Sequence, residues 1–222
     1  MRFFSLLCSL LLVTGCSSLN SDPHPDNTSL TESLPLTPKQ QLLQQPNLLM
    51  LNQPQVDGAT KTRFQQAIRL KKAKQLDQAE AALQRLSETH PELASVWMHL
   101  GDIALLNEQT DLALRHYQQT IALSPYHYFA HNRLGLLLRQ QGQFDQALQQ
   151  YSQAIEAWPG FAPAYRNRAI LLDLYMGQKQ RALQDYQTYQ LLADDPPSNL
   201  NGWLVDLQQQ IAAQTGESLN GN

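Results

Sequence analysis

The chain has 222 residues, of which 42% are hydrophobic and 16% are charged, and its formal net charge is −3. This length is enough for one domain of ordinary size. Lysine and arginine never occur in runs longer than two residues. The concentrated basic face that phosphate binding requires is therefore absent, and we expect no nucleic-acid partner.

Residues 1–15 have the order of a secretory signal peptide. Arg2 supplies a positive charge, an apolar run follows, and small residues precede Cys16. The run is too short to serve as a permanent membrane span. Its end, Val-Thr-Gly-Cys at residues 13–16, resembles the bacterial lipobox. The resemblance implies cleavage before Cys16 and acylation of that cysteine with palmitate-type chains, which anchor stably when several are present. An ordinary secretory signal with a chance cysteine is the alternative.

Cysteine usage limits the chemistry of the mature chain. Cys8 would leave with the signal peptide and Cys16 would carry lipid, so we expect no free thiol and no disulfide. That excludes thiol catalysis and a cysteine-ligated metal.

Ser17 directly follows Cys16. The resemblance to enterobacterial lipoproteins implies the outer membrane when serine is at this position. We therefore expect a lipid-anchored protein at the outer membrane that faces the periplasm.

Residues 16–58 predict a flexible tether. They are rich in Ser, Pro, Asn and Gln, and six prolines interrupt any long helix. One apolar stretch, NLLMLN at residues 47–52, could dock either on the folded domain or on a partner.

The sequence beyond the tether repeats itself. ALRHYQQTIALSP at residues 113–125 and ALQQYSQAIEAWP at residues 147–159 coincide at six of thirteen positions, with a constant offset of 34 in residue number. A fixed period of this length is typical of helical-repeat architectures. Other positions keep the same interval, namely Pro91, Pro125 and Pro159, Ala79, Ala113 and Ala147, and Trp97, His131 and Tyr165.

These motifs resemble the tetratricopeptide repeat family over about residues 60–195. The pattern is W-x2-L-G-x2-Y, then Ala, then an aromatic residue, then Pro. The resemblance implies an all-α solenoid of three to four helix-turn-helix repeats with a C-terminal capping helix. The expected boundaries are a repeat domain at 59–197, with repeats at about 60–93, 94–127, 128–161 and 162–196, a capping helix at 198–213 and a disordered tail at 214–222.

Packing gives each repeated residue a role. The glycines and alanines allow the two helices of a repeat to approach closely, the tyrosines fill the gap toward the next repeat, and the prolines end the second helix. The residues expected to carry this structure are Trp97, Gly101, Ala113, Tyr117, Pro125, Gly135, Ala147, Tyr151 and Pro159.

The fourth repeat contains one extra residue, because the interval from Ala147 to Ala182 is longer by one than the interval from Ala113 to Ala147. The insertion falls within ILLDLYM at residues 170–176. It predicts either a π-bulge inside the first helix or a slightly longer helix with the extra residue in the turn.

The capping helix is predicted from a single apolar face, with Ser198 or Asn199 able to cap its start. The face comprises Leu200, Trp203, Leu204, Leu207 and Ile211.

The resemblance also implies a concave groove lined by positions 2, 5, 9, 12 and 13 of each first helix. We predict partner binding by Met98, Asp102, Asn132, Arg139 and Arg166. The other positions are Ser95, Leu105, Leu106, Phe129, Leu136, Gln140, Pro163 and Ile170. Arginine and asparagine there could bind a peptide backbone or a carboxylate. A solvated helix face with no dedicated ligand is the alternative.

Catalytic and metal motifs are absent from the sequence. His127 and His131 are four residues apart, a spacing that can hold a metal, but no acidic third ligand lies near them. G-x-S-x-G, P-loop and H-E-x-x-H motifs do not occur. We therefore expect no metal, no cofactor and no enzymatic activity.

These observations predict a lipid-anchored periplasmic adaptor, expected to be a monomer, that binds a protein or peptide segment. Family resemblance implies three kinds of client: TonB-type energy-transducing systems, pilus secretins served by pilotins, and peptidoglycan hydrolases. ILLDLYMGQKQRALQDYQTYQ, residues 170–190, favours the first.

Two rival hypotheses are a self-assembling structural protein and a metal carrier at His127 and His131. The apolar face of the Trp203 helix argues against self-assembly, because a capped end cannot stack. The sequence does not identify the client.

Overall fold

The computed structural model describes residues 35–216. The predicted signal peptide at 1–15, the lipidated Cys16 and the first part of the tether lie outside the described residues. So does the end of the predicted tail, residues 217–222.

Paired α-helices build the part of the chain that the structure describes, and no strand occurs in it. Two short helices precede the pairs, and a single helix follows them. The bounds are α1 (Pro38–Leu43), α2 (Leu48–Leu51), α3 (Gly58–Lys72), α4 (Leu76–Thr89), α5 (Ala94–Leu106), α6 (Thr110–Leu123), α7 (Tyr128–Gln140), α8 (Phe144–Ala157), α9 (Ala162–Leu174), α10 (Lys179–Leu192) and α11 (Leu200–Thr215). Helices α5, α7 and α9 start at the constant interval of the sequence repeat, which confirms the predicted all-α repeat fold.

A glycine facing a tyrosine ring sets the spacing within two of the repeats. A Cβ atom added to Gly101 would lie 2.6 Å from Cε1 of Tyr117, and one added to Gly135 would lie 2.7 Å from Cε1 of Tyr151. Both tyrosines are completely buried. Each ring therefore packs on the glycine of its own repeat, and it also reaches the apolar core shared with the next repeat.

The repeated prolines lie just beyond the helices that they end. Helix α6 stops two residues before Pro125, and α8 stops two residues before Pro159. The indole nitrogen of Trp97 donates to the carbonyl oxygen of Pro91 at 2.8 Å, and Nε2 of His131 lies 2.8 Å from the carbonyl oxygen of Pro125. His131 thus takes the place of the tryptophan and makes the equivalent contact.

The extra residue of the fourth repeat lies in a turn. Helix α9 has 13 residues, as α5 and α7 do, whereas α10 starts one residue later than the repeat interval from α8 would place it. The amide of Gln143 donates to the carbonyl of Leu138, and the amide of Gln178 donates to that of Leu172, which closes a ring one residue longer. The predicted π-bulge is therefore wrong. The extra residue lies in the turn, as the alternative predicted, but the helix is not lengthened.

The second part of the predicted tether is folded. Side chains of Thr37 and Asn47 cap α1 and α2, so the prolines of this stretch do not prevent short helices. Leu49 is 9% exposed and packs against a cluster that contains Tyr128 and Phe161. The expectation of a flexible tether is wrong for residues 38–51, which dock on the repeats because apolar burial offsets the loss of chain entropy.

Helix α11 covers the apolar face of the fourth repeat. Leu200, Leu204 and Leu207 are buried in a cluster with Tyr186, whereas Trp203 is 36% exposed and lies at the edge of the face. Asn199 occupies the N-cap position without a side-chain capping bond. The helix ends two residues later than predicted. Across residues 35–216, no helix has both the length and the apolar character that crossing a membrane requires.

The turns inside the repeats provide a test of the backbone geometry. Glu108 and Gly142 both have positive φ, of 61° and 75°. A side chain in this region costs about 1–2 kcal/mol, so Glu108→Gly should raise the free energy of unfolding by about 0.5–1 kcal/mol, after the extra chain entropy of glycine is subtracted. Gly142→Ala should lower it by about 1 kcal/mol through backbone strain alone, because no atom lies within 4 Å of the added Cβ. Urea denaturation measures both changes.

Gly202 is the matched control, since an added Cβ there also meets nothing within 4 Å but the residue lies in α11. Gly202→Ala should stabilise by about 0.8–1 kcal/mol through helix propensity. If Gly142→Ala and Gly202→Ala changed the free energy of unfolding in the same direction, the left-handed conformation of Gly142 would be contradicted.

Candidate functional site

The candidate site is the surface lined by the first helix of each repeat, α3, α5, α7 and α9, which we call the A-helix groove. These helices are neighbours because each second helix packs against the first helix of the following repeat. All five predicted partner-binding residues lie on α5, α7 or α9.

Asp102 on α5 is the centre of a polar network. Its carboxylate accepts from Nζ of Lys71 at 2.7 Å and from the hydroxyl of Tyr117 at 3.1 Å, and Nε of Arg133 lies 3.4 Å away. Nδ1 of His99 lies 2.9 Å from Nζ of Lys71 and 3.5 Å from the carboxylate. Three successive repeats therefore contribute to one ion-pair cluster.

The cluster keeps Asp102 ionised. Burial acts to raise the pKa of this carboxyl, but hydrogen bonds from His99 and Lys71 and the charges of Lys71 and Arg133 outweigh it and hold the pKa well below its usual range. The side chain is 16% exposed. The negative charge of Asp102 is thus satisfied within the chain, which sequence reasoning missed because its partners lie on other repeats.

Two of the predicted groove residues are largely buried. Met98 is 5% exposed and belongs to the apolar core, so its prediction as a partner-binding residue is corrected. Asn132 is 7% exposed and accepts a hydrogen bond from Nδ2 of Asn167 at 2.9 Å. This amide pair bridges α7 and α9 on the floor of the groove.

Arg139 and Arg166 differ from the other charged residues of the groove. Both are half-buried. The guanidinium of Arg139 lies 5.9 Å from the ring centroid of Tyr175, within cation–π range. Within residues 35–216, Nη1 of Arg139 and Nε of Arg166 are buried and have no hydrogen-bond partner.

Arg168 and Asp185 form an ion pair within the fourth repeat. Arg168 on α9 makes two hydrogen bonds to the carboxylate of Asp185 on α10, at 2.7 and 2.8 Å, and a third to the hydroxyl of Ser152. Asp185 is 6% exposed. Bidentate geometry satisfies both partners, so this pair is structural.

Apolar side chains are exposed near the ends of the groove helices. Their exposed fractions are 62% for Leu106, 44% for Phe129, 68% for Leu174 and 49% for Tyr175. Contiguous exposed apolar patches mark protein-binding surfaces, whereas single exposed apolar side chains are ordinary. Leu106 and Phe129 were among the groove positions expected from the sequence, whereas Leu174 and Tyr175 lie where the insertion obscures the register.

The histidine pair has structural contacts. His127 is 3% exposed, and its Nδ1 accepts the amide of Ala130 at the start of α7. His131 uses both ring nitrogens, for Gln150 and for Pro125, each at 2.8 Å. The part of the chain described by the structure contains no group of three or more His, Cys, Asp or Glu residues that could hold a metal ion.

Paired helices stacked at a fixed interval define a helical-repeat solenoid, a class that presents a continuous binding surface. Two tetratricopeptide repeat family profiles match the sequence, over residues 64–128 and 128–161. Residues 64–161 are therefore tetratricopeptide repeats, and proteins built from such repeats are generally non-enzymatic scaffolds for protein–protein interaction.

Solved structures with the same fold include two proteins at low sequence identity. PilF of Pseudomonas aeruginosa is 19% identical, with a TM-score of 0.61 and coverage of 71% of this chain and 71% of that chain. A double mutant of MamA RS-1 is 16% identical, with a TM-score of 0.59 and coverage of 73% and 90%. At such identities the likeness concerns the fold alone.

The burial of His127 predicts a pH-dependent stability. Burial lowers the pKa of His127 to about 4, the nearby His99 and His131 act in the same direction, and Asp102 opposes them. The folded-state pKa is below the unfolded value of about 6.5. The unfolded chain therefore takes up the proton first, and stability should fall by about 1.4 kcal/mol per pH unit between these values.

His127→Asn keeps a capping acceptor and removes the titration. Between pH 7 and pH 5, its free energy of unfolding should fall less than that of the wild type by about 2 kcal/mol. The other histidines are common to both proteins and cancel in the comparison. Parallel pH profiles in urea denaturation would show that His127 is not buried in its neutral form.

Proposed function

We propose that this protein is a lipid-anchored adaptor that binds a protein segment in the A-helix groove. Acyl chains on Cys16 hold it at the outer membrane, facing the periplasm. The adaptor acts by mass action, because confining two partners at one surface raises their effective concentration.

One observation carries the binding part of the proposal. Leu106, Phe129, Leu174 and Tyr175 expose apolar surface along a groove whose floor carries the polar Asn132–Asn167 pair. Apolar anchors around a few hydrogen-bonding groups suit an extended peptide.

The client that we favour is a TonB-type energy-transducing system, for which this chain would be an accessory protein. The support is the resemblance of residues 170–190 to accessory proteins of such systems. The lengthened turn at residues 175–178 also begins at Tyr175, which is 49% exposed. A pilotin-like role for a pilus secretin and an adaptor role for peptidoglycan hydrolases use the same groove, so the identity of the captured protein decides among the three.

Lipid anchoring predicts a specific loss on substitution of one cysteine. Cys16→Ser should abolish metabolic labelling with an alkyne analogue of palmitate and remove the protein from the outer-membrane fraction. The Cys8→Ser variant, with its substitution in the predicted signal peptide, should still be labelled and should remain in the outer-membrane fraction. Labelling that survives Cys16→Ser would reject the anchor.

Groove binding predicts site-specific photocrosslinking in cells. Replacing Phe129 with p-benzoylphenylalanine should capture a discrete partner, which mass spectrometry would identify as a TonB-type, secretin or hydrolase component. Gln118 is the matched control, because it is exposed on α6, a second helix of a repeat. The same product from both positions, or none from Phe129, would reject the groove as the binding surface.

A further inference from the structure

A cavity lies between the first two repeats and the folded segment that precedes them. Residues 52–56 form one wall, and the starts of α3 and α5 and the turn between α6 and α7 form the others. Its volume is about 590 Å³. Small-molecule sites usually have volumes of about 300–1,000 Å³. The cavity is therefore large enough for a small ligand.

Most of the surface of this cavity is apolar. Besides Phe64, the larger apolar side chains that line it are aliphatic, namely Leu49, Pro54, Val56, Leu93, Val96 and Leu123. Among the lining residues, Lys61 and Glu92 are charged, and both are exposed. Their opposite charges balance, and an apolar wall penalises a charge that is brought out of water. The lining therefore favours an uncharged ligand with an aliphatic body.

The buried hydroxyl at the cavity is already satisfied. Thr60 is 2% exposed. Its hydroxyl donates to the carboxylate of Asp57 at 2.6 Å and lies 3.0 Å from Nε2 of His90. Thr60 therefore secures the start of α3 and is not available to a ligand.

His127 supplies the cavity with a hydrogen-bond donor. Its side chain lines the cavity and is 3% exposed. Nδ1 accepts the amide of Ala130, so this nitrogen carries the lone pair. Burial lowers the pKa of His127 to about 4, so the ring is neutral near pH 7. In a neutral imidazole whose Nδ1 is an acceptor, the proton is on Nε2, which is then a donor.

This donor is accessible. Within residues 35–216, the buried side-chain nitrogen and oxygen atoms without a hydrogen-bond partner belong to Arg139, Tyr151 and Arg166. Nε2 of His127 is not among them, and the hydrogen bond of the ring is made by Nδ1. Nε2 therefore borders open space, and the cavity is the open space that this side chain lines.

We propose that this cavity binds a small uncharged molecule with an aliphatic body and a carbonyl oxygen, and that the carbonyl accepts a hydrogen bond from Nε2 of His127. The aliphatic body displaces water from the apolar wall, and the carbonyl satisfies the donor. The site is independent of the adaptor function proposed above, because it needs neither the exposed apolar groups of the groove nor the lipid on Cys16.

The first test concerns the tautomer and needs no ligand. It uses the full chain with Cys16→Ser, because lipid or detergent would compete for an apolar cavity. Long-range proton–nitrogen NMR of histidine-labelled protein should show His127 as the Nε2–H tautomer near pH 7, with its signal assigned by its loss in His127→Asn. An Nδ1–H tautomer or a charged ring would overturn the proposal.

The second test titrates the same protein with octanamide, octanoate and octylammonium, three probes with equal numbers of carbon atoms. Octanamide is uncharged and has a carbonyl acceptor, so it should shift the Nε2 signal of His127. It should also bind at least about fivefold more tightly than either ion. No binding of octanamide, or equal binding of an ion, would overturn the proposal.

Two equivalent alanines provide a matched pair of variants. Ala94 and Ala162 are the first residues of α5 and α9, and of the two Ala94 lines the cavity. Ala94→Leu should fill the cavity and weaken octanamide binding at least about tenfold, whereas Ala162→Leu should leave the affinity unchanged. His127→Asn keeps the capping acceptor and should weaken binding about fivefold through loss of the hydrogen bond. Circular dichroism confirms the fold of each variant.

The remaining outcomes count against the proposal. Octanamide binding that survives Ala94→Leu would place the ligand elsewhere, and binding that survives His127→Asn at full affinity would reject the hydrogen bond. Photocrosslinking at Phe129 separates this site from the adaptor function. Capture at Phe129 without octanamide binding rejects the cavity ligand alone, and octanamide binding without capture rejects the groove alone.

Discussion

A glycine on the first helix of a repeat and a tyrosine ring on the second are in direct contact, and this contact governs the geometry of the chain. A methyl group on Gly101 would approach the Tyr117 ring to 2.6 Å, so the helices could not keep their separation. Burying an aromatic side chain of about 150–250 Å² stabilises by at most about 4–6 kcal/mol. A hydrogen bond to a charged group contributes about 1.5–3 kcal/mol. Packing therefore holds the repeats together, and the polar groups of the groove are free to vary.

The same contact determines the chemistry of the groove. The Tyr117 ring lies on Gly101, and its hydroxyl donates to the residue that follows that glycine. Tyr117 reaches Asp102 in this way, and the equivalent position for Tyr151 is Leu136. One residue per repeat thus decides whether the tyrosine is satisfied internally or remains without a partner, while the core around it is unchanged. This separation explains how two halves of one groove can share a backbone and differ in charge.

Periodicity made most of the fold predictable. The constant repeat interval specifies which residues face each other, and helix bounds follow from it to within about two residues. The details that depend on contacts between repeats were not predictable. Met98 lies in the core although its register position is a groove position, and Lys71 reaches Asp102 across 31 residues of sequence. The position of the extra residue was not predictable either, because the sequence pattern is the same whether that residue lies in the helix or in the turn. Arg139 lies two repeat lengths after Lys71 in the sequence. Comparing the two positions would have identified Arg139 as a cation whose Nη1 lacks a hydrogen-bond partner.

Burial of Leu49 contributes more to docking the folded segment before the repeats than the ion pair of that segment does. Lys39 and Asp194 are 3.0 Å apart, but Asp194 is 99% exposed, and such pairs contribute about 0–1 kcal/mol. Burial of Leu49 beside Tyr128 and Phe161 contributes about 1.5–3 kcal/mol and covers aromatic rings that would otherwise meet water. The segment runs from the fourth repeat back to the first, opposite to the order of the repeats. Residues 36–57 therefore belong to the same compact unit as the repeats rather than to a tether.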